Sequence, residues 1–85
     1  MTDHIILVLH ITDRLTKATE VQRIFTEYGC YIKTRIGLHD VSEDFCSPSG
    51  ILLLEMFGDE TKINEMEQEL KKIEGVEIKR VQFSH

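Results

Sequence analysis

The stretch Glu27-Tyr-Gly-Cys-Tyr-Ile-Lys-Thr-Arg-Ile-Gly37 decides how the rest of the chain is read. Gly29 is expected to end a helix, because glycine takes the left-handed C-cap conformation without steric cost. A strand is expected to follow from Cys30 to Leu38. Strict alternation then puts Cys30, Ile32, Thr34 and Ile36 on one face and Tyr31, Lys33 and Arg35 on the other.

Upstream, Ile5-Ile-Leu-Val-Leu-His-Ile11 is apolar without alternation, the pattern of a strand covered on both faces. Asp13 or Thr16 is placed to cap a helix. In that helix Ala18, Val21, Phe25 and Tyr28 form one apolar stripe. Downstream the same pair recurs after a polar loop, 38–49, which is longer than ordinary hairpin connections. Ile51-Leu-Leu-Leu54 opens a third strand running to Phe57, and Asp59 or Thr61 offers a cap. Ile63, Met66, Leu70 and Ile73 make the second stripe, Gly75 ends that helix, and Val76 to Phe83 is a last strand.

The halves repeat. Ile5 to Gly29 and Ile51 to Gly75 span the same length, and at one common offset Asp13 meets Asp59 and Gly29 meets Gly75. Two βαβ units in this order predict an α+β, ferredoxin-like βαββαβ sandwich, with a four-stranded antiparallel sheet and two helices on one face. Right-handed crossovers put the first and third strands in the centre, which is where continuous apolar runs belong. Two helices cover one face only, so the apolar residues of the central strands must also line the other. Burial of that face against a second copy, as a homodimer or higher oligomer, is the expectation.

Bulk properties narrow the function. Eighty-five residues, 41% apolar and 29% charged, make one globular domain, 1–85. A net charge of -5 argues against direct nucleic-acid binding. No run approaches the roughly 20 apolar residues of a membrane span, and Met-Thr-Asp-His lacks a basic signal-peptide region. Cys30 and Cys46 are too few for a disulfide framework. A cytoplasmic protein is expected.

Ile11-Thr-Asp-Arg14, Val21 and Tyr28-Gly-Cys-Tyr-Ile32 resemble the pattern of ACT-type regulatory domains, in which an Asp-Arg turn enters the first helix and a glycine precedes the second strand. Glu27-Tyr28-Gly29 followed by Arg35-Ile36-Gly37, with Ile73-Glu74-Gly75-Val76 near the end, is similar to the stand-alone iron-only hydrogenase system regulator family. That resemblance implies pairing through strands or sheets and a small effector near the first strand–helix turn, here Thr12, Asp13, Arg14, Leu15 and Thr16. Leu15-Thr16 stand where amino-acid-binding ACT domains carry Pro-Gly, which argues against an amino-acid effector.

Other chemistry is weaker. His39 and Cys46 share one loop and could bind a transition metal in a sensor, but a closed site needs three or four ligands. The blander reading is a loop histidine and a small cysteine, with no cofactor. Cys30 is assigned to core packing, and Cys46 has no evident base to activate it, so no enzyme is expected. An anion-cradling turn before the first helix would need glycine, and Thr12 to Thr16 contains none. RNA-recognition domains of this topology carry aromatics on the central strands, which here are aliphatic. Lys33, Arg35, Lys79 and Arg80 are read as solvated edge charge, and His4 and His85 as facing water. A regulatory ligand-sensing domain is therefore the main expectation, with a metal sensor or a ligand-free interaction scaffold as alternatives.

Overall fold

The computed structural model describes residues 3–12, 14–38 and 50–84, and residues 3, 14–18 and 38 by backbone alone. Its elements run β1 (Asp3–Ile11), α1 (Arg14–Glu27), a 3-10 turn (Gly29–Tyr31), β2 (Ile32–Leu38), β3 (Gly50–Met56), α2 (Glu60–Lys71) and β4 (Val76–Ser84). The sheet order is β2-β3-β1-β4, and every neighbouring pair is antiparallel. This is the ferredoxin-like βαββαβ sandwich. The two apolar runs are the central strands, as their patterning predicts.

Opposed residues in an antiparallel pair share a face, so the register sorts the side chains. Leu7 opposes Leu54 and Arg80, and Leu9 opposes Leu52 and Ile78. These point at the helices, where Ile5, Leu7, Leu9 and Ile11 pack with Val21, Ile24, Phe25, Ile63, Met66 and Leu70 in one core. The expected stripe of α2 is buried in full. Of the expected first stripe, Val21 and Phe25 in α1 and Tyr28 just past its end are buried, and Ile24 joins them, while the Ala18 side chain lies outside those described.

The helix ends separate two kinds of signal. Asp59 caps α2 by accepting from the Thr61 amide at 2.9 Å, as its side chain predicts. Thr16 lies inside α1 and so does not cap it, while Asp13 lies outside the described residues. Gly75 does not end α2, which stops at Lys71 with Lys72 as its right-handed C-cap; it takes φ +90° in the turn that leads on into β4. Gly29 does not share that conformation. Helix α1 stops at Glu27, and Gly29 opens the 3-10 turn instead, with the Tyr31 amide donating to the Tyr28 carbonyl at 3.0 Å.

That turn corrects the expected second strand. Cys30 sits in it, exposed, and is not a core residue. The strand starts at Ile32, and a register irregularity between Ile32 and Thr34 breaks the alternation at Lys33. Ile32 and Arg35 thus share the helix side, whereas Thr34 and Ile36 share the other.

Candidate functional site

Two places stand out. The first is the turn from β1 into α1, where the resemblance placed an effector. Thr12 leaves β1 exposed, and its amide donates to the Gly75 carbonyl at 2.8 Å. The turns that close both halves of the fold are therefore bonded to each other. A methyl group at Gly75 would stand 3.2 Å from the Thr12 carbonyl oxygen, so the approach is close. Arg14, Leu15 and Thr16 form the first turn of α1 by their backbone. Asp13, His39 and Cys46, and with them the proposed metal pair, lie outside the described residues. Among the described residues no group of three or more His, Cys, Asp or Glu side chains is placed to hold a metal.

The second place is the sheet face away from the helices. Ile36, Leu53 and Val8 oppose one another across β2, β3 and β1, and Ile6 opposes Val81 on β4. Ile36, Ile51, Val81 and Phe83 are between 39% and 54% exposed, an apolar surface of the kind the central runs predict. Inside it lies a polar cluster that no local pattern announces. The Thr34 hydroxyl donates to Glu55 Oε1 at 2.8 Å, and His4 Nε2 lies 2.8 Å from Glu55 Oε2. The Thr34 hydrogen bond, and then that of His4, holds the Glu55 carboxyl below its ordinary range. His4 thus has a carboxylate partner on the sheet and does not simply face water.

Charges expected on the surface also find partners. Arg80 points inward from β4 and reaches α2, donating to Glu67 Oε1 at 2.8 Å, Asn64 Oδ1 at 2.7 Å and Glu60 Oε2 at 3.2 Å. Arg35 lies over the Phe25 ring, 5.1 Å from its centre, and donates to Gln22. Both act as ties between edge strand and helix. An open groove of about 480 Å³ runs beside Tyr28 along α2, lined by Asn64, Glu65, Gln68 and Glu69 among others. Burial raises the Tyr28 phenol, and the carboxylates of Glu27, Glu65 and Glu69 raise it further. Among the described residues no helix is long and apolar enough to cross a membrane.

This architecture is the ferredoxin-like βαββαβ fold, which ACT domains share. The structure is similar to the uncharacterized protein TM1266 of Thermotoga maritima, with a TM-score of 0.80 and 25% identity over 95% of this chain and 96% of that one. It is also similar to the ACT domain of the GTP pyrophosphokinase of Chlorobium tepidum, with a TM-score of 0.64 and 18% identity over 95% and 89% of the two chains. The nitrogen regulatory PII-like protein of Thiomonas intermedia K12, bound to ADP, AMP and bicarbonate, follows at TM-score 0.54 and 9% identity, covering 96% of each chain. No protein-family model and no curated protein matches the sequence.

Proposed function

We propose that this chain is a small regulatory domain of the iron-only hydrogenase system regulator type. It acts in the cytoplasm as a homo-oligomer that senses a small molecule, and it catalyses no reaction of its own. The observation that carries this reading is the sheet with helices on one face only. Its other face keeps Ile6, Val8, Leu53, Ile36 and Val81 together in register, an arrangement that favours work in an assembly over work alone. The effector is assigned to the β1–α1 turn, Thr12 to Thr16. There a central strand ends, a helix begins, and the Gly75 turn is bonded alongside. That the ACT domain and the PII-like protein share the fold is consistent with a regulatory role.

The test is native mass spectrometry of the full chain purified without chelator, followed by thermal-shift titration with nucleotides, amino acids and divalent metals. A dimer or larger species that retains or gains a small ligand is expected, with the gain reduced by a Thr12→Val, Arg14→Ala double variant. A monomer stabilised by none of these compounds would count against the reading.

A further inference from the structure

The groove beside Tyr28 lies on the helix side of the fold, just beyond the end of α1 and a whole helix away from Thr12 to Thr16. Its volume of about 480 Å³ falls in the range of small-molecule sites, roughly 300–1,000 Å³. Tyr28 is 8% exposed and belongs to the core. Yet among the described residues its hydroxyl has no hydrogen-bond partner. The hydroxyl is not sealed in either, because no fully buried side-chain polar atom among those residues lacks a partner. It therefore opens where Tyr28 lines the groove. A phenol so nearly buried has exchanged most of its water for a partner, and here the partner must come from the groove.

Charge decides what enters. Glu65 and Glu69 both line the groove and stand one turn apart on α2, about 6 Å along its axis. Glu27 ends α1, and the last turn of that helix carries no basic residue to offset the partial negative charge of its C-terminus. Arg23 reaches Glu27 only at 3.7 Å. Lys62 lies 3.4 Å from Glu65 Oε2, and Lys72 lies 3.1 Å from Glu69 Oε2. Both pairs are exposed, so they are weak and exchange readily with another cation. Each also leaves the second carboxylate oxygen able to accept. The resulting field reaches the phenol, which burial raises first and then Glu27, Glu65 and Glu69, with Lys62 acting the other way. An anion is disfavoured here, whereas a cation with several N–H donors satisfies the carboxylates and the phenol oxygen together.

We propose that this groove binds a small aliphatic diamine. One ammonium group donates to Glu65 and to the Tyr28 hydroxyl oxygen, the other donates to Glu69, and the methylene chain spans the helical turn between them. Lys62 and Lys72 give way to water as the ligand enters.

Titration of the full chain with putrescine at constant ionic strength, followed by amide proton–nitrogen NMR spectra and calorimetry, tests this. Saturable binding is expected, with shifts confined to Tyr28, its neighbours and the α2 face from Thr61 to Lys72. Tyr28→Phe removes no hydrogen bond that the fold uses, so it should melt at the wild-type temperature or above while binding about tenfold more weakly. Glu65→Gln combined with Glu69→Gln should abolish binding and keep a native circular dichroism spectrum. Butylamine, with a single ammonium group, should bind about fivefold more weakly than putrescine. No saturable shift along the groove, equal affinity in Tyr28→Phe, or equal affinity for butylamine overturns the proposal. A Tyr28→Phe protein that melts lower than wild type overturns its basis, the unpartnered hydroxyl. The groove is remote from both the β1–α1 turn and the helix-free face, so each of these failures leaves the regulatory reading above standing.

Discussion

Arg80 Nη1 on β4 lies 2.8 Å from Glu67 Oε1 on α2, and Glu67 is the charged side chain buried among the described residues. Lys71 also reaches Glu67, at 3.3 Å, but its side chain is far more exposed than that of Arg80. Removing the guanidinium leaves a buried carboxylate with only a solvated ammonium nearby. Arg80→Ala is therefore expected to cost about 2–4 kcal/mol in urea denaturation. Glu67→Gln, which keeps a hydrogen-bonding oxygen, should cost less. A coupling energy near zero in the double-mutant cycle would show that the pair does not tie β4 to α2.

Leu70 is fully buried at the centre of the α2 stripe. Leu70→Ala should cost about 2–5 kcal/mol, from lost transfer free energy and an unfilled cavity. Neighbouring Lys71 is exposed, and its pair with Glu67 is a helix-surface one, so Lys71→Ala should stay within about 0.5 kcal/mol. The reverse order in urea titrations would contradict the packing.

The two glycines in the turns beyond the helices should respond oppositely. Gly75 combines φ +90° with a carbonyl 3.2 Å from any added methyl group, so Gly75→Ala is expected to destabilise by about 1–3 kcal/mol. Around Gly29 nothing stands within 4 Å of such a group and φ is not positive. Gly29→Ala should be neutral, or stabilise by up to about 1 kcal/mol through the unfolded chain. Melting temperatures of the two variants decide it.

Glu55 links the sheet to pH. Its carboxyl is held below the ordinary value, so it binds protons more readily in the unfolded chain. The resulting stability is present above the unfolded pKa of about 4.5 and is lost as pH falls through the lower folded one. Thr34→Val removes the hydrogen bond that contributes most to the shift. The variant should be less stable than wild type at pH 7, with the difference shrinking at pH 3. Urea midpoints at both values test this, and a gap that widens on acidification would reverse the sign.

The central strands were legible in sequence because Ile5–Ile11 and Ile51–Leu54 are apolar on both faces, and α2 because its stripe keeps one phase to Ile73. Local residue types were enough for the Asp59 cap and for a left-handed turn at Gly75, though not for the end of α2, which comes four residues earlier. They were not enough for Gly29, since the Tyr31 carbonyl accepts from the Phe57 amide at 3.0 Å and so fixes the turn through another strand. Arg80 read as surface charge because an edge strand offers no local sign of which face a partner occupies, and Glu67 is distant in sequence. The cluster of His4, Thr34 and Glu55 comes from three strands and exists only in the observed register. In the candidate effector turn the sequence marked Thr12, but not its bond to Gly75, which joins the two halves of the repeat.

The irregularity at Lys33 has a consequence for how such chains diverge. Strand β2 is in one phase before it and the other phase after it, so the side chains from Thr34 to Ile36 keep their faces whatever precedes them. A residue gained or lost between Gly29 and Lys33 can be absorbed there by reshaping the turn and the bulge together. Elsewhere in the strand the same change would turn Ile36 toward the helices and Arg35 away from Phe25. Among relatives of this fold, length differences in the second strand should therefore collect at this point, and alignments that put the gap further along would misassign the two faces.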